Sequence, residues 1–151
     1  MFKWIKFGDV ALKMLKNALN LANIDDEMKN LLLKKAEEGY LPDPDSLLEE
    51  KPELYLFVAA LHREIARFIS AISLKSDSFI QEALGAYLLS LIMLLTFYAR
   101  NKNKKIEEEI RRTLFEMNYI ATSKGAEKER DFMENVRLIV EKALEYVEYL
   151  Y

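Results

Sequence analysis

Ala83-Leu84-Gly85-Ala86-Tyr87-Leu88-Leu89-Ser90-Leu91-Ile92-Met93-Leu94-Leu95-Thr96-Phe97-Tyr98-Ala99 is a run of 17 residues without a charge. A helix that is apolar all round is either the buried centre of a bundle or a membrane span. Spans need about 20 apolar residues, with a usable range of roughly 17–25, so length alone admits both. The basic segment that follows, Arg100-Asn101-Lys102-Asn103-Lys104-Lys105, would suit a cytoplasmic flank. The neighbouring sequence decides the matter. The other helices each show an apolar stripe that needs a surface to bury against, and a central helix apolar on every side supplies it. Residues 79–99 are therefore read as a core helix buried on all faces, not as a membrane span.

Outward from this helix the pattern stays helical. Asp9 can cap a first helix, where Val10, Met14, Leu15, Ala18, Leu19 and Ala22 recur at helical spacing. After a break over Asn20 to Asp26, a second helix carries Met28, Leu31, Leu32 and Ala36. It ends at Gly39, a left-handed C′ position. Two prolines make Tyr40 to Asp45 a loop. Ser46 and Glu49 have capping-box spacing for a turn at 46–50. Pro52 opens a long helix to about Leu74. Its stripe is Leu54, Phe57, Val58, Leu61, Ile65, Phe68, Ile69 and Ile72, with His62, Arg63, Glu64 and Arg67 mostly off it. Ser76-Asp77-Ser78 offers caps for the central helix, and Ser78 with Gln81 repeats the capping-box spacing.

Beyond the basic hinge, Ile106, Ile110, Leu114 and Met117 mark an amphipathic helix, punctuated by Gly125. The last helix carries Phe132, Val136, Ile139, Val140, Ala143, Leu144 and Val147. No internal repeat and no period-2 strand is visible. The expected fold is one all-α domain over 1–151, with an N-terminal helical hairpin (1–45) and a main bundle (46–151). Its five to six helices surround the central one.

Composition agrees. With 51% hydrophobic and 31% charged residues, the chain is globular rather than disordered. At 151 residues it can bury a core without a disulfide or metal. Cysteine is absent, which removes disulfides, thiolate zinc sites and cysteine nucleophiles and fits a cytoplasmic protein. The net charge of −3 gives no whole-domain attraction for nucleic acid. The start, Met1 to Phe7, is basic and aromatic but lacks the apolar core of a signal peptide.

The sequence offers no catalytic constellation. His62 is the single histidine, two residues from Glu64 and so on a different helical face. No Glu-x-x-His pair suggests a di-iron bundle, and the four glycines are isolated, so no phosphate loop exists. Asp43-Pro44-Asp45 lacks the further ligands of a calcium loop. Glu107-Glu108-Glu109 complements a helix dipole. Arg100-Asn101 begins an Arg–His pattern found in some helical-bundle nucleases, but Lys104 to Ile106 occupy the place of the histidine. The expectation is a non-enzyme without cofactor or metal.

Two surfaces remain as candidates. Arg100, Lys102, Lys104, Lys105, Arg111 and Arg112 form a basic patch that could meet phosphate or a protein partner; otherwise it is a solvated hinge neutralised by nearby glutamates. Tyr146, Tyr149 and Tyr151 are of the type enriched at protein interfaces, or simply close a bundle helix.

Three segments resemble the α-helical domain of archaeal-type GINS subunits. Glu49-Glu50-Lys51-Pro52-Glu53-Leu54-Tyr55 is similar to that family's acidic entry into a long helix. Arg100 to Glu107 resembles its Arg-x-x-Lys-Ile-Glu signature, with an extra residue or two. Glu127-Lys128-Glu129-Arg130-Asp131-Phe132 looks like the acidic opening of the helix that follows. The resemblance covers about 52–150. It implies a non-enzymatic adaptor of the replicative helicase, joined to sister subunits through apolar helix faces. The alternative is a small all-α subunit of another nucleic-acid machine, such as a CRISPR effector complex or an archaeal primase.

Overall fold

The computed structural model describes residues 2–72, 79–124 and 127–151. The fold is all-α, built around the helix Ile80–Arg100. Its described elements are a two-stranded ribbon, seven α-helices and two 3-10 turns. The chain divides into two compact units, Met1–Glu64 and Ile65–Tyr151, and the division falls inside the fourth helix.

In the first unit, strand β1 (Trp4–Lys6) pairs antiparallel with β2 (Tyr40–Pro42), Ile5 facing Leu41. Sequence reading misses both, because three residues carry no period and their partners lie far apart in the chain. Helix α1 (Ala11–Leu19) follows a 3-10 turn over Gly8–Val10. Asp9 lies inside that turn and makes no side-chain cap, contrary to expectation. Helix α2 (Asp26–Glu37) is capped by Asp25, whose carboxylate accepts from Met28 N at 2.8 Å.

Gly39 does take the left-handed conformation after α2, at φ +96°. Its carbonyl accepts from the amides of both Phe7 and Gly8, at 2.8 and 3.1 Å. A Cβ there would sit 3.3 Å from Gly8 Cα. Glycine thus meets two needs, a positive φ and a close backbone approach.

Helix α3 (Pro44–Glu50) begins earlier than the expected turn at 46–50. Asp43 caps it, its carboxylate accepting from Ser46 N at 3.1 Å. Pro44 sits at the first turn, where its missing N–H would have been unsatisfied anyway. Pro44 therefore starts a helix rather than barring one, whereas Pro42 ends β2. Leu15, Leu32, Leu41, Leu47, Phe57 and Leu61 form the fully buried centre of this unit.

Helix α4 (Tyr55–Ile72) follows a 3-10 turn at Pro52–Leu54. Arg63 and Glu64, expected off the stripe, are buried at 4% and 3% exposure. Glu64 is held there by a hydrogen bond from Asn17 Nδ2 at 2.9 Å. The expected caps at Ser76 to Ser78 and the break at Gly125 lie outside the described residues.

The second unit is built on α5 (Ile80–Arg100), α6 (Lys104–Lys124) and α7 (Glu127–Leu150). Ile80, Leu84, Tyr87, Leu91, Leu94 and Tyr98 are buried on α5 and step by alternating fours and threes. That is the spacing of a helix–helix seam. Ile106, Ile110, Thr113 and Met117 answer it from α6 with the same steps. Asn103 caps α6, accepting from Lys105 N at 2.8 Å, so only Asn101 to Asn103 separate the two helices. On α7 the buried apolar residues are Met133, Val136, Val140, Leu144 and Val147, whereas Phe132 and Ile139, expected in the core, point outward.

Burial on every face of α5 does not hold. Leu89 and Ile92 are each 50% exposed on the side opposite the buried seam. Leu94→Ala, at a fully buried position, is expected to lower the unfolding free energy by about 2–5 kcal/mol. Leu89→Ala should change it by no more than about 0.5 kcal/mol. Urea denaturation of both variants measures the contrast; equal losses would mean that Leu89 is covered.

Candidate protein-interaction surface

Three of the six residues of the expected basic patch pair with carboxylates. Lys102 Nζ lies 2.9 Å from Glu148 Oε2 and 5.9 Å from the Tyr151 ring centre. The hydrogen bond to Glu148 raises the Lys102 pKa. Arg111 pairs with Glu107 at 3.2 Å and Arg112 with Glu109 at 3.5 Å. The acidic run that opens α6 thus sits against the arginines one turn on. Arg100 and Lys104 are exposed and form no ion pair among the described residues; Lys105 is exposed too.

The three tyrosines separate into different roles. The Tyr151 hydroxyl donates to the carbonyls of Ala99 and Arg100, both at 3.1 Å. It thereby satisfies two of the carbonyls that a helix C-terminus leaves over. Tyr146 and Tyr149 project outward at 62% and 85% exposure.

A polar cluster that the sequence did not disclose joins three helices. Arg67 on α4 forms a bidentate pair with Glu116 on α6, Nε and Nη2 at 2.7 and 2.6 Å from its two oxygens. Tyr87 on α5 donates to the same carboxylate at 3.2 Å. Burial, then the Glu116 charge, pushes the Tyr87 phenol well above its ordinary range. It remains a neutral donor. Nothing in the spacing of Arg67, Tyr87 and Glu116 announces this meeting, which the packing of three helices creates.

The cluster also bears on α5 as a membrane span, a role its length and hydropathy would allow. Tyr87 lies seven residues into α5, about 10 Å along its axis. An arginine and a glutamate at that depth would be costly in hydrocarbon.

Outward apolar groups are more telling. Besides Leu89 and Ile92 on α5, Phe115 and Tyr119 on α6 are 71% and 60% exposed, and Ile139 on α7 is 65% exposed. Phe115 and Tyr119 lie off the buried stripe at a four-residue spacing, a signal that was legible in the sequence and passed over. Phe115 projects between two clefts, one lined also by Arg111, Asn118 and Arg137, the other by Tyr87 and Glu116. Exposed aromatics beside arginine are the composition of protein-binding anchors. No group of three or more potential metal ligands occurs among the described residues.

His62 on α4 faces the carboxylate of Asp45 on α3. Its Nε2 is 3.7 Å from Asp45 Oδ1. Burial lowers its pKa below 6.5, against the opposing pull of Asp45 and Asp43.

Compared with protein-family models, curated proteins and solved structures, the chain matches none.

The lowered His62 pKa fixes a pH dependence. The unfolded chain takes up the proton near 6.5, before the folded one does. The stabilisation is therefore complete above that pH and lost as pH falls toward the folded value. Urea midpoints measured across this window should fall with acidification in the wild type, with a smaller slope in His62→Gln. Identical slopes would show that His62 titrates as in the unfolded chain.

Proposed function

We propose that the chain is a non-enzymatic helical subunit that docks onto other proteins inside the cell. One observation carries this reading. The central helix is apolar all round, yet half of each of the Leu89 and Ile92 side chains stands open, with Ile139 exposed on α7. Large apolar side chains left open by the rest of the fold are the material of a binding site. The pairing of Lys102, Arg111 and Arg112 with glutamates weighs against phosphate as the main target. The Arg67–Glu116 pair beside α5 weighs against the membrane.

The resemblance to GINS subunits gives the reading its most specific form, an adaptor in a DNA-replication assembly that contacts sister subunits and the replicative helicase. The second reading, a small subunit of another nucleic-acid machine, draws on exposed Arg100 and Lys104 at the α5–α6 turn.

Affinity purification from the native cell separates the two. Under the replication reading, helicase and GINS partners co-purify and stay bound after nuclease treatment. Release by nuclease, or recovery of a guide-RNA complex with steep salt dependence, would replace it. RNA cleavage by the purified chain that disappears in Arg100→Ala would end the non-enzymatic reading altogether.

A further inference from the structure

Helices α5 and α7 run parallel, a geometry fixed at both ends. Gln81 Nε2 donates to Glu129 Oε1 at 3.2 Å near their N-termini. Tyr151 reaches the Ala99 and Arg100 carbonyls near their C-termini. Along the outer side of α5, Gly85, Leu89, Ile92 and Thr96 are exposed and step by four, three and four. Phe132, Ile139 and Tyr146 are exposed on α7 at seven-residue intervals, 37%, 65% and 62%. The two rows are thus in the register that would receive one further helix.

The ends of this face differ in charge. At the N-terminal end, Glu129 is 7% exposed and lines a cleft of about 300 Å³ with Gln81, Leu84, Gly85 and Phe132. At the C-terminal end stand Arg100 and Lys104, both exposed. Building on the docking function proposed above, we propose that this face receives one amphipathic helix of a protein partner, antiparallel to α5 and α7. Acidic residues in its first turns meet Arg100 and Lys104. An arginine or lysine in its last turn enters the Glu129 cleft.

Three physical arguments set this choice. Acid-first, base-last is the order a helix dipole itself favours. The antiparallel direction also places the partner's N-terminus beside the C-terminal, negative ends of α5 and α7. The cleft suits a long cation, since Leu84 and Phe132 can cover its aliphatic stem while Glu129 takes the charge. Gly85 keeps the entrance open, because a Cβ built there meets no atom within 4 Å. The same fact yields a clean variant: Gly85→Leu fits the fold and fills the entrance.

The test uses two synthetic helical peptides of about 21 residues, the length of α5. They share one Leu/Ile seam; one carries Glu first and Arg last, the other the reverse. Binding to the full chain is read by fluorescence anisotropy, and the contact face by amide and methyl chemical shifts. The Glu-first peptide is expected to bind about tenfold more tightly than the reverse. Gly85→Leu and Glu129→Gln should each weaken it about tenfold, with circular dichroism unchanged. Equal affinity for the two peptides, no binding, or shifts confined to other helices overturns the proposal. So does self-association of the chain through the same residues, seen by light scattering. A cellular partner that still binds Gly85→Leu would leave the docking function standing and remove this face from it. Absence of any protein partner for the wild type would remove the docking function itself.

Discussion

The architecture of the second unit depends on one mismatch: α5 has an apolar surface all round, and its described neighbours cover only part of it. Ile80, Leu84, Tyr87, Leu91, Leu94 and Tyr98 give a continuous buried row that α6 meets with Ile106, Ile110, Thr113 and Met117. The connection at Asn101–Asn103 is short enough to force the two helices antiparallel. Once that pair is set, α7 closes the remaining part of the seam with Val136, Val140, Leu144 and Val147. The tie between Tyr151 and the end of α5 then fixes how far α7 can slide. The opposite side of α5 keeps its leucine and isoleucine without having been required for any of this packing.

Polar groups in the unit serve register rather than chemistry. A bidentate arginine–carboxylate pair tolerates little displacement of either helix, so Arg67 and Glu116 fix α4 against α6. The Tyr87 hydroxyl brings α5 to the same carboxylate. The gain in stability from a partly buried ion pair is small, because desolvation offsets most of the attraction. Removing one partner is what costs. The cluster therefore selects one arrangement of three apolar helices that could otherwise slide along similar seams.

Much of this fold was legible in the sequence, and what escaped has physical causes. The long helices show themselves through period, and Gly39 through the need for a positive φ after α2. The ribbon of β1 and β2 could not be read, since its stability comes from pairing between residues more than thirty positions apart. On α7, Phe132 and Ile139 fit the period of the buried row as well as Met133 does. A helix with an apolar arc wider than its neighbours can cover gives no internal sign of which edge stays open. Arg63 and Glu64 escaped for the opposite reason: charge predicted exposure, and the hydrogen bond from Asn17 that helps hold Glu64 inside is tertiary. The basic patch was visible residue by residue, but its pairing with Glu107, Glu109 and Glu148 depends on the fold.

Energetics explain why an open apolar row and charged ends belong together. Fully burying one large apolar side chain is worth about 1.5–3 kcal/mol. Leu89, Ile92, Phe132, Ile139 and Tyr146 are between 37% and 65% exposed. Covering what remains of all five yields on the order of 5 kcal/mol. Bringing two molecules together costs about 4–15 kcal/mol in lost freedom. The apolar row alone thus approaches break-even and has no preferred direction, because its steps of four and three look alike from either end. A carboxylate at one end and cations at the other supply what the row lacks. They add the margin of attraction and make one orientation of the incoming helix better than its reverse.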